Sequence, residues 1–211
     1  MLGTMLDLQG SLFATDEPSG FAPLSAAQRV PLDRGAWVDL LPGWLRGADA
    51  VFDTLLAEVP WRAERRQMYE RVVDVPRLTA FYDEGAALPH PALDEARERL
   101  STHYADELGE PFVTVGLCLY RDGRDSVAWH GDRIGRSRES DTMVAIVSVG
   151  SARHLALRPR DGGPSRRYAL GHGDLVVMGG SCQRTWEHAV PKTTKPVGPR
   201  ISIQFRPYKI G

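Results

Sequence analysis

The chain has 211 residues, 42% apolar, 8% aromatic and 25% charged, a composition that suits one domain with a modest appendage and excludes wholesale disorder. Its longest apolar runs, such as Met143 to Val149, fall far short of the roughly 20 residues a membrane span needs, and residues 1–30 lack a charged segment followed by an apolar one; a cytoplasmic protein without membrane attachment is expected. The net charge of -1 hides an asymmetry, since residues 1–120 carry 10 basic and 19 acidic side chains and residues 121–211 carry 16 and 8. A site in the basic half would suit a polyanion such as nucleic acid, although arginines dispersed over a wetted surface give the same balance.

Residues 1–43 read as a loosely structured lead-in, rich in Gly, Ser, Pro and acids and packed by Leu12 and Phe13. From Gly47 to Val59 the apolar residues Val51, Phe52, Leu55, Leu56 and Val59 follow helical spacing, and Pro60 ends the run. A second helix is expected over about Pro91 to Leu108, with Leu93, Ala96, Leu100, Tyr104 and Leu108 on one core-facing stripe. After Gly109 the texture changes to short β-rich runs between Gly, Pro and charged turns: Phe112 to Tyr120, Val127 to Asp132, Met143 to Gly150, His154 to Arg158, Arg167 to Leu170, Asp174 to Met178, His188 to Val190 and Arg200 to Arg206. About eight strands at close spacing point to an all-β sandwich or barrel, of which the jelly roll is the eight-stranded form. The two cysteines, Cys118 and Cys182, are too few for a disulfide framework and too far apart for a zinc pattern, and read as buried small apolar residues.

The chemistry begins at His130-Gly-Asp132. On a strand the period of two puts both side chains on one face, in a chelating arrangement. The pair is not diagnostic alone, because His172-Gly-Asp174 repeats it; there, Gly171 and Gly173 flank the histidine and Asp174 opens a strand, which is turn chemistry. The first copy is followed 56 residues later by His188 and then by Arg200, 12 residues further on. Two histidines and one carboxylate on a β scaffold form the facial triad of non-haem Fe(II) oxygenases, which leaves three coordination positions open. In the last strand Arg200, Ser202, Gln204 and Arg206 alternate with Ile201, Ile203 and Phe205. Four polar groups facing one way is not a core pattern, and paired guanidinium groups suit a dicarboxylate.

Leu119 to Asp132, Gly173 to Gly180, Trp186 to Lys192 and Arg200 to Arg206, in this order and at compatible spacing, resemble the AlkB-like iron(II)/2-oxoglutarate-dependent dioxygenases over about residues 44–207. Pro76 to Tyr82 is similar to the region that helps form the family's nucleotide lid. The resemblance implies a double-stranded β-helix, a form of jelly roll, over 111–207, buttressed by helices and lid from 44–110 in a single domain 44–211. It implies His130, Asp132 and His188 as the Fe(II) ligands and catalytic centre. Arg200 would pair with the distal carboxylate of 2-oxoglutarate, with Tyr120 bonding the cosubstrate and Arg206 near its other end; O2 is the second cosubstrate. Cys118 stands where many members have Asn, and Ser202 and Gln204 occupy the usual Asn and Thr positions beside the cosubstrate. Members that repair bases often carry a further carboxylate just after the metal Asp, where this chain has Arg133 and Ile134.

The implied activity is oxidative demethylation of N-alkylated nucleobases, with single-stranded or flipped-base DNA as partner. Tyr69, Phe81 and Tyr82 are candidates to line the substrate mouth, since a flipped base needs a π-face, and Arg133 to meet a phosphate. The alternatives are the same chemistry on RNA, a protein or a small molecule, a zinc hydrolase with the same ligands, and a catalytically silent nucleic-acid-binding module. His90 and His103 read as surface residues, His154 as a hydrogen-bonded structural residue, and Trp61, Trp129 and Trp186 as packing residues.

Overall fold

The computed structural model describes residues 19–68, 71–132 and 140–207. Near the start, β1 (Gly20–Phe21) pairs with β4 (Leu45–Arg46), and β2 (Gln28–Pro31) and β3 (Ala36–Leu41) form a hairpin. Helix α1 (Ala48–Glu58) follows and stops before Pro60, as the periodicity predicts. Then come β5 (Arg62–Met68), β6 (Arg71–Tyr82), α2 (Pro91–His103) and α3 (Ala105–Leu108). His90 caps α2, accepting the Ala92 N–H on Nδ1 at 3.1 Å, and Pro91 takes the first helical position, where no N–H partner is needed.

The remaining strands are β7 (Thr114–Tyr120), β8 (Val127–His130), β9 (Val144–Gly150), β10 (Arg153–Pro159), β11 (Arg166–Leu170), β12 (Asp174–Gly180), β13 (Trp186–Val190) and β14 (Arg200–Arg206), with the short helix α4 (Cys182–Thr185) before β13. All eight runs expected from the sequence are strands. They build two antiparallel sheets, β11-β10-β13-β8 and an eight-stranded sheet β2-β3-β12-β9-β14-β7-β6-β5. This is the jelly roll, with the larger sheet extended at both edges by strands from the N-terminal half.

Each face of the larger sheet covers its own core. On the outer face Leu117, Val147, Ile201, Ile203 and Phe205 pack against Val51 and Leu55 of α1 and Leu93 and Leu100 of α2. Between the sheets lie Tyr120, Ile146, Leu155, Leu157, Val176, Met178, Trp186 and Val190. Each fully buried aliphatic side chain contributes about 1.5–3 kcal/mol. Burial on both faces explains why β9, Val-Ala-Ile-Val-Ser-Val-Gly, reads as a continuous apolar run.

Two expectations are corrected. The described part of the supposed lead-in carries β1 to β3, and β3 pairs along β12 from Ala36 to Leu41; with Trp37, Asp39 and the partly buried Leu40 interrupting its alternation, that strand lacks a clean period-two signal. The stretch from Arg62 to Tyr82, expected within the helices and lid of 44–110, forms a β-hairpin. Strand β6 pairs with β7 only over Leu78 to Tyr82 but with β5 as far as Arg71, so the hairpin runs past the sheet as a two-stranded ribbon. A ribbon without a sheet neighbour needs no apolar face, which is why its charged sequence gave no periodic signal. No helix among the described residues is long and apolar enough to cross a membrane.

Candidate active site

His130 ends β8 and His188 lies in β13; the two are directly paired across the smaller sheet, with ring centroids 4.2 Å apart. Nδ1 of His130 lies 2.8 Å from the carbonyl oxygen of Ala128, which places the proton on Nδ1 and leaves Nε2 as the donor atom for a metal. His188 is buried, and burial, reinforced by His130, pushes its pKa down to about 3. A neutral imidazole is the ligating form.

Asp132 lies beyond the end of β8, so strand alternation does not aim it, contrary to the expected strand to residue 132. Tertiary bonds do. Arg206 donates to Oδ2 from Nε at 2.9 Å and from Nη2 at 2.6 Å, while Oδ1 faces Nε2 of His130 at 3.7 Å. Burial alone would raise the Asp132 carboxyl, but the Arg206 guanidinium, with His188 and His130, outweighs it and holds the carboxyl well below its usual range. Ligand atoms of His130, Asp132 and His188 all lie within 4.8 Å of one another, a spacing that fits one metal ion bound on a face.

Strand β14 supplies the opposite wall as its alternation predicts. Ile201, Ile203 and Phe205 enter the outer core, and Arg200, Ser202, Gln204 and Arg206 line a cavity of about 1250 Å³ shared with the three metal-competent residues. Arg200 is 2% exposed; Nε donates to Ser148 Oγ at 2.8 Å, the guanidinium lies 5.3 Å from the Tyr120 ring, and Nη1 has no hydrogen bond. No carboxylate among the described residues pairs with Arg200, and burial lowers its pKa. A buried guanidinium with no carboxylate partner and a free Nη1 is costly, so this cavity suits an anionic ligand. The donor set therefore fits both groups the sequence implied, a metal at one end and the carboxylate of 2-oxoglutarate at the other.

Gln204 connects the two ends. Its Oε1 accepts from Arg206 Nη2 at 2.5 Å, and its Nε2 donates to Ser202 Oγ at 3.3 Å and reaches Cys118 Sγ at 3.5 Å. Arg206, expected near the end of the cosubstrate away from Arg200, lies at that end of the cavity against the Asp132 carboxylate, and Gln204 braces it. Tyr120 is buried in the cavity wall beside Arg200. Phe81, 40% exposed, and Tyr82 line the same cavity, while Tyr69 and Arg133 lie outside the described residues. Trp129, expected in the core, is half-buried on the cavity wall with the Arg158 guanidinium 4.4 Å from its ring. His154 is exposed on β10, opposite Ala169 of β11.

The second His-Gly-Asp sequence is a turn. Asp174 accepts the N–H groups of Gly43 at 2.8 Å and Gly171 at 2.7 Å, and a Cβ on Gly173 would come within 2.3 Å of the Leu45 carbonyl oxygen. Three supporting residues escaped sequence reasoning: Ser148, Arg153 and Gln183. Buried Arg153 donates to the carbonyls of Asp122, Asp125 and Pro191 and so ties together two loops at the cavity rim. A polar residue in an apolar strand, as at Ser148, was the available signal; nothing local marks Gln183.

Comparison with known proteins agrees with this geometry. The model of the 2OG-Fe(II) oxygenase superfamily matches residues 38–206. "DNA oxidative demethylase ALKBH2" from Homo sapiens is 30% identical over 178 residues, covering 75% of this chain and 68% of that one. The chain belongs to the AlkB-like members of the 2OG-Fe(II) oxygenase superfamily. Membership implies Fe(II), 2-oxoglutarate and O2 as the groups such a cavity would hold. "Alpha-ketoglutarate-dependent dioxygenase alkB homolog 3" from Bos taurus is 32% identical over 190 residues; the AlkB-like chain aligns over 80% of itself and spans 65% of that relative's length. A prolyl hydroxylase from Trichoplax adhaerens, solved with a hypoxia inducible factor peptide, shares the fold with a TM-score of 0.58 at 11% identity, covering 80% of this chain and 82% of that one. One fold therefore serves unrelated substrates, and the substrate must be argued from the cavity.

Proposed function

We propose that the protein oxidatively demethylates N-alkylated nucleobases in DNA, acting on a single-stranded or flipped-out nucleotide. The observation that carries this reading is one cavity with the His130, Asp132 and His188 cluster at one end and the buried, carboxylate-free Arg200 at the other. Fe(II) with 2-oxoglutarate and O2 supplies the oxidising power when bound: the 2-oxo acid becomes succinate and CO2, one oxygen atom entering the succinate and the other a substrate C–H bond. A hydroxymethyl group on a base nitrogen then leaves as formaldehyde, and the nitrogen recovers its proton.

The chain's own residues do the rest. Arg200 holds the far carboxylate by charge-assisted hydrogen bonds and fixes which end of the 2-oxo acid meets the metal. Arg206 takes Oδ2 of Asp132 out of competition and leaves Oδ1 turned toward the histidines. The apolar walls, Leu155, Ile146 and Val190 among them, exclude water from the reacting centre. At the mouth, exposed Phe81 offers a ring on which a base can stack, and Arg62 and Lys192 offer charge to the backbone phosphates. The names of the relatives support a nucleic-acid substrate.

The test is succinate release by protein reconstituted with Fe(II) without oxygen and then given O2 and 2-oxoglutarate, with and without N-methylated single-stranded DNA. Stimulation by the methylated strand with equimolar formaldehyde is the expected result. Succinate without stimulation would keep the oxygenase and discard this substrate, and no succinate at all would leave the zinc and silent readings.

A further inference from the structure

Asp132 sits two residues past the end of β8, and a carboxylate beyond a strand's end needs something other than the sheet to aim it. Its backbone N–H donates to Oε1 of Gln183 at 3.0 Å. Gln183 belongs to α4, is 1% exposed, and faces Met178 Sδ with Nε2 at 3.9 Å. Only the amide oxygen can accept the Asp132 N–H, which turns Nε2 to donate to the weak acceptor Met178 Sδ, so the orientation of the amide is determined. The main chain of Gln183 approaches the same segment: a Cβ on Gly131 would come within 2.9 Å of the Gln183 carbonyl oxygen and 2.1 Å of Arg160 Nη2. The turn carrying Asp132 thus lies against α4 at a separation only glycine allows.

We propose that Gln183 is a positioning residue of the metal centre, which fixes the backbone of Asp132 so that Arg206 holds one carboxylate oxygen while the other is presented beside His130 and His188. This rests on those three residues being the ligands. Gln183 lies five residues before His188, so one connection between the sheets supplies one ligand and aims another. Without the amide oxygen this bond to the largely buried Asp132 is lost, and loss of such an outer partner typically weakens metal affinity about 10–100-fold.

The experiment is a Co(II) titration of the metal-free protein followed by absorbance, with melting temperature and amide hydrogen exchange of the same samples. Gln183→Met keeps the volume and the Met178 contact but removes the acceptor; Gln183→Glu keeps an acceptor of the same reach. Gln183→Met is expected to bind Co(II) about 10–100-fold more weakly, to lose exchange protection at the Asp132 N–H while β8 keeps its own, and to melt within a few degrees of the parent; Gln183→Glu is expected to bind more tightly than Gln183→Met. Parent-like affinity in Gln183→Met, or no advantage of Gln183→Glu over it, would overturn the assignment. A parent protein that takes up no Co(II), or an Asp132→Ala variant that binds as well as the parent, would overturn the ligand set on which it rests.

Discussion

Because Arg206 already occupies Oδ2 of Asp132, the carboxylate is held in one orientation before any metal arrives. Removing it by Asp132→Ala should abolish turnover and take from the buried Arg206 guanidinium its carboxylate; full succinate formation by that variant under iron-replete conditions would remove the triad from the mechanism. Arg200 acts at the other end. A hydrogen-bonded charge pair contributes about 1.5–3 kcal/mol, so Arg200→Ala should raise KM for 2-oxoglutarate about 10–100-fold with a smaller change in kcat, and steady-state kinetics at saturating methylated DNA would show it. Between them, Gly131 is a residue whose side chain is its absence. A methyl group there would meet Arg160 and Gln183, and Gly131→Ala should weaken metal binding more than it lowers the melting temperature; a variant that binds Co(II) normally would show that the turn can give way.

At the scale of elements, β14 illustrates how a single strand serves two purposes: its apolar residues seal the outer core under the helices, and its polar residues face the cavity between the sheets. A one-residue slip would exchange the two sets, so the pairing of β14 with both β7 and β9 fixes the site as firmly as it fixes the fold. Helix α2, part of that outer layer, begins with an unusual cap. His90 accepts a backbone N–H only while neutral, and burial, with Glu58 opposing, lowers its pKa below the ordinary 6.5. The folded-state value lies below the unfolded one, so the contribution is complete above about pH 6.5 and fades as the pH falls through the lowered value. His90→Asn keeps a capping oxygen that does not titrate, and should make the melting temperature less sensitive to acid between pH 7 and pH 5; an identical acid sensitivity in parent and variant would show that the cap is not the titrating element.

For the whole molecule, the cavity opens where the β5–β6 hairpin, the β7–β8 loop and the segment after β13 meet. Lys192 borders both this cavity and a neighbouring groove lined by Arg121, Arg124, Asp122 and Asp125, where the aspartates neutralise the arginines. Binding of single-stranded oligonucleotides should therefore weaken with salt, and Lys192→Ala should reduce the slope of log K against log salt by about 0.7–1 if it meets one phosphate. Unchanged affinity between 50 and 200 mM salt would instead point to a small-molecule or peptide substrate. Phe81→Ala should cost about 1–3 kcal/mol of strand binding, the usual range for a lost base stack, without altering 2-oxoglutarate use; fluorescence titration with a methylated oligonucleotide separates the two.

What the sequence determined by itself was the eight-strand core, helix α1, most of the second helix, which breaks at Tyr104 into α2 and α3 instead of running unbroken to Leu108, and the face of β14, because each is written in local periodicity. The His130, Asp132, His188 and Arg200 set was legible through residue types and order, and the resemblance gave each a role. Tertiary structure decided the rest. It aimed Asp132, which no strand orients, through Gln183 and Arg206. It made Arg206 and Gln204 braces of the Asp132 carboxylate, turned Trp129 to the cavity wall, and added β2, β3, β5 and β6 to the edges of the larger sheet. The physical reason is the same in each case. Periodicity records which face of an element is buried, whereas a hydrogen bond between residues 51 or 74 positions apart in the chain leaves no local pattern and exists only once the sheets have brought its partners together.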